Sequence, residues 1–275
     1  METVQPKLRF PEFKGDWSNH TLEELTVKIG DGLHGTPLYV ENSDVYFING
    51  NNLIDGKIVI NENSKKVSLE TLKKNNKGLD ENSILISING TIGSISRYND
   101  EKIMLGKSVG YFNFKQSKDF YFQILQSKKI QDYFISELTG STIKNLSLKT
   151  LRETTIFQPS LSEQARIANF LSLVDEKLNL LKEKKALLEE YKKGIMQKIF
   201  NQENRFKDDN GNDFGEWEEK SIGNILTIGS GRDYKHLNYG NVPVFGTGGL
   251  MTYVDSFLHQ GETVCIGRKG RSKDN

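Results

Sequence analysis

A cluster of lysines is the group of side chains best suited to bind a charged ligand. Five lysines fall within 13 residues and are opposed by a single acid, Glu70; they are Lys65, Lys66, Lys73, Lys74 and Lys77. Such a cluster can neutralise phosphates and release their counterions, which predicts contact with nucleic acid. The alternative is the solvated face of a helix. The net charge of the whole chain is +1, so a uniformly basic coat is excluded, whereas a local basic patch is not.

Motifs of enzymes that act on nucleotides or nucleic acids are absent from the sequence. Gly106, Lys107 and Ser108 resemble the end of a phosphate-binding loop, but that loop requires a glycine where Glu101 stands. The five prolines include no adjacent pair, which excludes the Asn/Asp-Pro-Pro-aromatic loop of adenine methyltransferases. Glu-x-Lys triplets of the nuclease type occur, but none follows a Pro-Asp. No second ligand at metal-binding spacing accompanies any of the four histidines, which are His20, His34, His236 and His259. We therefore predict no catalytic residues, no metal site and no cofactor bound by this chain.

Length and composition predict about two domains. The chain has 275 residues, of which 36% are hydrophobic, enough to fill cores of ordinary size. No run approaches the ~20 apolar residues that span a bilayer, and the N-terminus is polar and charged, unlike a signal core. A soluble, cytoplasmic protein is predicted. The single cysteine, Cys265, excludes an internal disulfide, and its strand-like surroundings predict a buried thiol.

The elements that would position the polar side chains form an α+β domain over residues 1–158. Short apolar runs bounded by turn residues predict strands at Val45–Ile48, Ile58–Ile60, Ile84–Ile88 and Tyr111–Phe114. Helices are predicted over Leu69–Asn76 and Asp119–Leu138. The loops between these elements are rich in Gly and Asn, and recognition surfaces are commonly built on such loops.

From Pro159 the pattern changes to one long helix over residues 159–200. Ser160 and Glu163 have capping-box spacing, and no Gly or Pro follows until Gly194. Apolar residues recur in a heptad pattern, interrupted by Lys185 and Lys192, at Ile167, Leu171, Val174, Leu178, Leu181, Leu188, Ile195 and Ile199. This seam predicts a coiled coil with a partner helix, about 58 Å long if it is helical from Ser162 to Phe200. The alternative is an amphipathic helix packed on its own domain.

After this helix the sequence begins to repeat itself. The residues Arg9, Phe10, Phe13, Gly15, Trp17, Leu22, Leu25, Gly30 and Gly32 recur in the same order as Arg205, Phe206, Phe214, Gly215, Trp217, Ile222, Ile225, Gly229 and Gly231. A turn-rich linker is predicted over residues 201–216, followed by the start of a second, duplicated domain over residues 217–275. In that copy the apolar run Thr263–Ile266 corresponds to the apolar run before Asn89. The loop Gly267–Gly270 that follows it corresponds to the loop Asn89–Gly93. Because the second copy is much shorter than the first, we expect a fragment or a truncated chain.

Residues at the junction of the first domain and the helix carry a family resemblance. The run Thr139–Leu146 is followed by Leu151, Ile156–Pro159, Glu163–Gln164, Ile167 and Leu171. This order strongly resembles the boundary between a target-recognition domain and the conserved helix in specificity subunits of type I restriction-modification systems. The stretch Leu79–Leu85 followed by Gly90–Gly93, and the repeated opening with Phe, Gly and Trp, are similar to the same family. One departure is Gln158, which stands where the family usually has the first of two prolines.

The resemblance implies a non-catalytic subunit in which two recognition domains, joined by two long antiparallel helices, each read one half of a split DNA target. It implies three partners: double-stranded DNA, modification (methyltransferase) subunits and, through the complex, restriction subunits. S-adenosylmethionine, ATP and Mg²⁺ are expected on those partner subunits. Two copies of a chain with one whole domain could also associate through the seam.

If the domain enters a major groove, its loop side chains are expected to contact DNA. The expected contacts are His34, Thr36, Asn51, Asn52, Thr91, Lys107, Ser141, Thr142 and Lys144, with Lys73, Lys74 and Lys77 on phosphates. For Thr142 and Lys144, packing of the domain on the helix is the alternative role. A different interpretation of the whole chain is a coiled-coil adaptor that binds protein and not DNA, which the near-neutral charge favours.

Overall fold

The computed structural model describes residues 6–140, 144–257 and 259–267. Contacts divide the chain into two units, the first up to Met196 and the second from Gln197. In chain order the elements are β1 (Ser18–Thr21), α1 (Leu22–Leu25), β2 (Thr26–Asp31), β3 (Val45–Ile48), a 3-10 turn (Gly50–Asn52), β4 (Leu53–Ile54), β5 (Lys57–Ile58), β6 (Lys66–Val67), α2 (Leu69–Lys74), β7 (Ser83–Ser87), β8 (Ile95–Arg97), β9 (Ile103–Leu105), β10 (Val109–Phe114), α3 (Lys118–Leu125), α4 (Lys128–Ser136), α5 (Leu148–Glu153), β11 (Thr155–Gln158), α6 (Leu161–Phe200), α7 (Ile222–Ile225), β12 (Val242–Gly246) and β13 (Gly249–Val254). Among the described residues, no helix combines the length and apolar character needed to cross a membrane.

A four-stranded antiparallel sheet in the order β2-β10-β7-β8 is the centre of the first unit. Every residue of β7 and β10 is buried, as expected of strands covered on both faces. A second sheet has the order β6-β3-β9, with β3 and β9 parallel. The predicted strands at Val45–Ile48, Ile84–Ile88 and Tyr111–Phe114 are confirmed within one or two residues, whereas the run from Ile58 contributes only the end of the short strand β5.

Side chains along β10 point alternately to the two faces of the sheet, so this strand contributes residues to two hydrophobic clusters. Phe112 and Phe114 belong to the larger cluster, which α3, α4 and α5 cover, while Tyr111 belongs to the smaller cluster beside β3 and β9. Phe114 stacks on Tyr121 of α3 with ring centroids 4.2 Å apart. Burial raises the pKa of Tyr121 to about 12. The sheet is therefore a rigid frame, clamped between helices on one face and the second sheet on the other.

The single helix predicted over Asp119–Leu138 is two helices, α3 and α4. The break lies at Ser127, whose ψ of 144° is extended. Side-chain amides compensate the interrupted helix, because Gln126 Nε2 donates to the carbonyl of Phe122 at 3.0 Å and Gln131 Nε2 donates to that of Leu125 at 2.8 Å. The break lets apolar residues of both helices enter the larger cluster.

A buried ion pair, and not a complete capping box, holds the start of α6. The backbone N–H of Glu163 donates to Ser160 Oγ at 3.5 Å, but the Glu163 carboxylate binds Arg9 in a bidentate geometry, 2.7 Å from Nε and 2.6 Å from Nη2. Glu163 is 1% exposed, and Trp17 Nε1 lies 3.4 Å from the same carboxylate. The hydrogen bond to Glu163 raises the pKa of Arg9. Arg9 Nη2 also donates to the carbonyl of Gly15 at 2.6 Å, so the N-terminal segment is fastened to the helix.

Helix α6 has 40 residues from Leu161 to Phe200, about 60 Å, which confirms the predicted long helix. Its first turns pack on the domain, where Ala168 is buried and Ile167 contacts the larger cluster. Further along, the predicted seam is exposed, because Val174, Leu178, Leu181 and Leu188 expose 42%, 51%, 53% and 55% of their surface. The domain therefore buries the beginning of the seam and leaves its middle accessible.

The second unit repeats the local structure of the first copy. Arg205 Nη2 donates to the carbonyl of Gly215 at 2.5 Å, as Arg9 does to Gly15, and α7 occupies the place of α1 in the repeat. Packing is not repeated, since Ile222 and Ile225 are 62% and 67% exposed while their counterparts in α1 are buried.

Two expectations for the second unit are wrong. Residues 263–266 form no strand, and Cys265 is exposed rather than buried. Within the residues described there, β12 and β13 pair with each other, and no further strand is positioned to extend that hairpin. The apolar run therefore has no ladder partner among the described residues, and Val264 and Ile266 are 87% and 88% exposed. Most of the predicted loop Gly267–Gly270 lies outside the described residues.

Candidate nucleic-acid interface

Loops from several parts of the first unit meet at one end of the central sheet, where β2 and β7 end and β10 begins. Backbone hydrogen bonds join them: Leu33 N to Leu105 O at 2.7 Å, Gly106 N to Ile48 O at 2.8 Å, and Leu146 N to Ile88 O at 2.9 Å. We call this surface the loop end; it comprises residues 31–36, 49–52, 88–91, 105–108 and 144–148. The loops that carry most of the expected contacts, residues 30–36, 49–52, 89–91 and the described part of 139–145, are therefore neighbours.

A hydrogen-bonded hub holds three of these loops in place. Ser108 Oγ donates to Asn49 Oδ1 at 3.1 Å and accepts from the N–H of Gly50 at 2.9 Å. Thr91 Oγ1 donates to the carbonyl of Gly50 at 3.2 Å. Gly106 permits the close approach, since a Cβ there would lie 2.3 Å from Asn49 Oδ1. Side chains on these loops are thus presented by a rigid frame, which precise recognition requires.

A cleft of about 360 Å³ opens at the loop end. Its lining combines the apolar residues Ile88, Leu146 and Leu148 with five polar ones, Asp31, His34, Asn89, Lys107 and Asn145. His34 Nε2 lies 2.6 Å from Asp31 Oδ2, so the carboxylate orients the imidazole. This mixture of donors and acceptors suits hydrogen bonds to the edges of bases better than capture of a lone anion.

Comparison with known proteins decides the class of this interface. The family described as the type I restriction modification DNA specificity domain matches residues 16–190. The chain belongs to this family. The matched region contains the loop end, the cleft and most of α6.

The proteins that resemble this specificity domain are longer than the chain. It is 28% identical over 121 residues to the type I restriction enzyme MjaIX specificity subunit of Methanocaldococcus jannaschii, an alignment that covers 41% of the chain and 28% of that protein. The crystal structure of the S subunit of a type I restriction-modification system from M. genitalium has a TM-score of 0.55 at 20% identity, over 94% of this chain and 66% of that one. A structure described in terms of complex assembly and conformational transition of the type I R-M system has a TM-score of 0.52 at 20% identity, over 72% and 47%. The structural similarities show the shared fold, and the chain spans between 28% and 66% of the proteins it matches.

Five of the expected DNA contacts of the specificity domain lie at the loop end with accessible side chains. His34 and Lys107 line the cleft. Thr36 and Asn51 are exposed on the two loops that carry His34 and the hub, and Lys144 is exposed at the start of the last loop segment. A nucleic acid laid against the loop end would meet these five side chains together.

Other expected contacts have structural roles at the same surface. The side chain of Asn52 accepts from the N–H of Asn49 and donates to the carbonyl of Val59, both at 3.0 Å, so it shapes its own turn. The exposed Thr91 belongs to the hub through its hydroxyl. Ser141 and Thr142 lie outside the described residues.

The lysines expected to contact phosphates lie on the flank of the unit, outside the cleft. Lys73 and Lys74 are exposed on α2. Lys77 follows that helix, and its carbonyl accepts from Lys28 Nζ at 3.5 Å. Lys28 precedes the end of β2 by three residues, which is about 10 Å along a strand. Asn113, near the opposite end of β10, donates to the carbonyl of Gly78 at 2.6 Å, so Lys77 lies away from the loop end.

Acidic and histidine side chains do not gather into a metal centre in the part of the chain that is described: no group of three or more His, Cys, Asp or Glu there could hold an ion. In the linker, the Asp208 carboxylate is occupied by the N–H groups of Asn210 and Asn212, at 3.0 and 2.7 Å. These hydrogen bonds, the one from Asn212 above all, lower the pKa of Asp208. The Asp- and Asn-rich linker therefore contains a turn that is held by hydrogen bonds between its own residues.

Two arrangements at these surfaces have no obvious pattern in the sequence. Asn89 and Asn145 are 56 residues apart, and only the fold places them in one cleft. Arg9 and Glu163 are 154 residues apart, although the return of Arg9 as Arg205 indicates that this arginine has a fixed role. Arg9 recurs in the second copy, whereas no asparagine corresponds there to Asn89.

Proposed function

We propose that this chain recognises one half of a bipartite DNA target as a specificity subunit of a type I restriction-modification complex. The observation that carries the proposal is the convergence of separate polar loops on one cleft at the end of a rigid sheet. Family membership supports it. Under the proposal, the loop end reads bases and the flanking lysines contact phosphates.

We propose no catalytic step for the chain itself. Its task would be to position modification (methyltransferase) subunits and, through the complex, restriction subunits, on which S-adenosylmethionine, ATP and Mg²⁺ would be bound. The family description, which concerns DNA specificity, supports this division of labour. The fold shared with a structure described for type I complex assembly adds support. A cytoplasmic location follows from the proposal, because the target DNA is there.

The exposed middle of α6 is proposed as a binding site for partner helices. Beside the seam runs a second apolar stripe, in which Leu173, Leu180 and Leu187 are 57%, 58% and 59% exposed. Leu173, Leu180 and Leu187 lie about 100° around the helix from the seam residues Val174, Leu181 and Leu188, so α6 presents apolar residues on two faces and can contact more than one helix. We propose α6 of a second copy as one partner and a modification subunit as another.

The proposed DNA binding predicts a steep dependence on salt. The full chain should bind duplex DNA with an affinity that falls as salt rises, because phosphate contacts release counterions. Replacing Lys73, Lys74 and Lys77 by Gln should reduce the slope of log K against log salt by about 1 for each lysine that contacts a phosphate. Fluorescence anisotropy over a salt series measures both quantities.

A matched control removes the same charge elsewhere. Lys177, Lys184 and Lys193 are exposed on α6, and their replacement by Gln should leave the slope unchanged. Wild-type protein without measurable affinity at low salt would reject the proposal and favour the coiled-coil adaptor.

Helix α6 is proposed to set the distance between two half-sites. Ten base pairs occupy about 34 Å along the duplex, so one added helical turn of ~5.4 Å should change the preferred spacing by one to two base pairs. Inserting four residues after Leu181, where α6 is exposed all round, tests this. The preferred spacing would be measured by selection from duplexes with random spacers, in the presence of the modification subunits. An unchanged preferred spacing would show that α6 does not set the distance between the half-sites.

A further inference from the structure

We propose that Asn89 and Asn145 act as one base-reading element that recognises an adenine edge in the major groove, while Lys107 at the same cleft contacts phosphate. The inference rests on the proposed DNA-binding function and deepens it by dividing the cleft into a part that reads sequence and a part that does not.

The two asparagines are fixed next to each other by the backbone. Asn89 and Asn145 are partners in an antiparallel bridge, which places opposing Cβ atoms about 4.5–5.5 Å apart. Their chain neighbours Ile88 and Leu146 are 3% and 0% exposed, so both segments are anchored in the core. The asparagine side chains are half-buried and line the cleft. The amides are therefore presented from a rigid support, as discrimination between bases requires.

The chemistry of an amide fits an adenine edge. Asparagine can donate to N7 and accept from the N6 amino group of adenine at the same time. Asn89 Nδ2 lies 3.5 Å from the carbonyl of Lys107, a long contact that commits at most one of its two N–H groups. The bridge also fixes the side of the cleft from which both amides approach a base pair.

The charges in the cleft separate base edges from phosphates. Asp31 lies in the lining and would repel a phosphate brought against it, although its contact with His34 moderates this repulsion. The same carboxylate can accept from an exocyclic amino group of a base. Lys107 is exposed, so its ammonium can reach a phosphate outside the cleft. The interior thus suits a base edge, and Lys107 suits the backbone that passes it.

Selection from a randomised duplex library tests the division, with the full chain as bait and sequencing as readout. The wild type should enrich one half-site. Asn145→Ala and Asn89→Ala should each lose the preference for adenine at one position, by roughly 10- to 100-fold in discrimination, and keep the rest of the motif. Lys107→Ala should keep the whole motif, bind all sequences more weakly and lower the salt slope by about 1.

Two further variants make the outcome decisive. Asn99 is exposed beyond the far end of β8, and Asn99→Ala should select the wild-type motif. Asn145→Asp keeps the shape but only accepts hydrogen bonds, so its preference should move from adenine toward cytosine, whose N4 amino group donates. An unchanged melting temperature verifies that each variant is folded, and unchanged affinity for non-specific DNA is a second check for the three Asn→Ala variants. A wild-type motif that survives Asn89→Ala, Asn145→Ala and Asn145→Asp overturns this inference and leaves the proposed function standing; a wild type that enriches no motif overturns both.

Discussion

Replacing Arg9 by alanine is expected to lower the melting temperature of the protein by on the order of 10 °C, because a buried carboxylate loses its charged partner. Both guanidinium contacts to Glu163 are short, at 2.7 and 2.6 Å, and Glu163 is 1% exposed. Without Arg9 the carboxylate keeps, among the described residues, the distant N–H of Trp17 at 3.4 Å, and the backbone carbonyl of Gly15 loses the Arg9 donor as well. Differential scanning calorimetry measures the shift.

An exposed ion pair in the same region gives the control for this prediction. Glu12 and Arg166 join the same N-terminal segment to the same helix at 3.7 Å, but their side chains are 51% and 54% exposed. Exposed pairs contribute little to stability, so Glu12→Ala should hardly change the melting temperature. Glu163→Gln should lower the melting temperature less than Arg9→Ala, because it leaves no buried carboxylate without a partner and its amide oxygen can still accept from Arg9. Equal small shifts for Arg9→Ala and Glu12→Ala would show that burial of the first pair adds nothing.

The ion pair is one of several contacts that fasten the first domain to α6. Arg9 belongs to the repeated segment, and Glu163 belongs to the first turn of the helix. At the same junction Tyr121 Oη donates to Gln158 Oε1 at 2.6 Å, and Gln164 Nε2 donates to Gln158 Oε1 at 3.2 Å. Gln158, which stands in place of a family proline, therefore contributes hydrogen bonds between domain and helix. Such contacts set the direction in which the helix leaves the domain.

Elements governed by local periodicity were predictable from the sequence. The strand at Val45–Ile48 and the helix ending at Phe200 have the predicted bounds, because burial on both faces and a heptad pattern leave few alternatives. The loops that meet at the loop end were predictable as loops for the same reason: they interrupt apolar runs. The break at Ser127 was not, since both halves continue the helical spacing and the turn is decided by packing of Phe120 and Phe134 in one cluster.

Side chains whose partners are distant in sequence were not predictable from spacing. Glu163 has the position of a capping-box residue, yet its carboxylate binds Arg9, because a bidentate arginine is a stronger partner than one backbone N–H. Asn52 was predicted to contact DNA. The structure shows that its amide shapes the turn at Asn49, and its contact with DNA stays a prediction. The neighbourhood of Asn89 and Asn145 depends on sheet register, which no local pattern encodes.

The accessible seam of α6 leads to the second large effect that we expect. A helix that exposes about half of each of Leu178, Leu181 and Leu188 leaves apolar surface in water, and burying it against a second helix is favourable. Lys185 interrupts the seam and forms an i,i+4 pair with Glu189 at 3.8 Å. A polar residue at a seam position weakens a coiled coil while restricting its register. Association through the seam should therefore be reversible and specific.

Replacing Leu178 and Leu181 together by Asp is expected to weaken self-association of the chain by at least about 100-fold, because two carboxylates would have to be buried in the centre of the interface. The wild type should form a dimer whose dissociation is measurable by light scattering or sedimentation, and the double variant should stay a monomer at the same concentrations.

Asn179 and Ala186 are exposed on another face of the same helix, so replacing both by Asp adds the same charge and should leave the dimer intact. Circular dichroism verifies that α6 remains helical in both variants. A wild type that stays monomeric at the highest concentration, without a modification subunit, would leave that subunit as the partner of the seam, whereas equal weakening by both variants would place the contact outside Leu178 and Leu181.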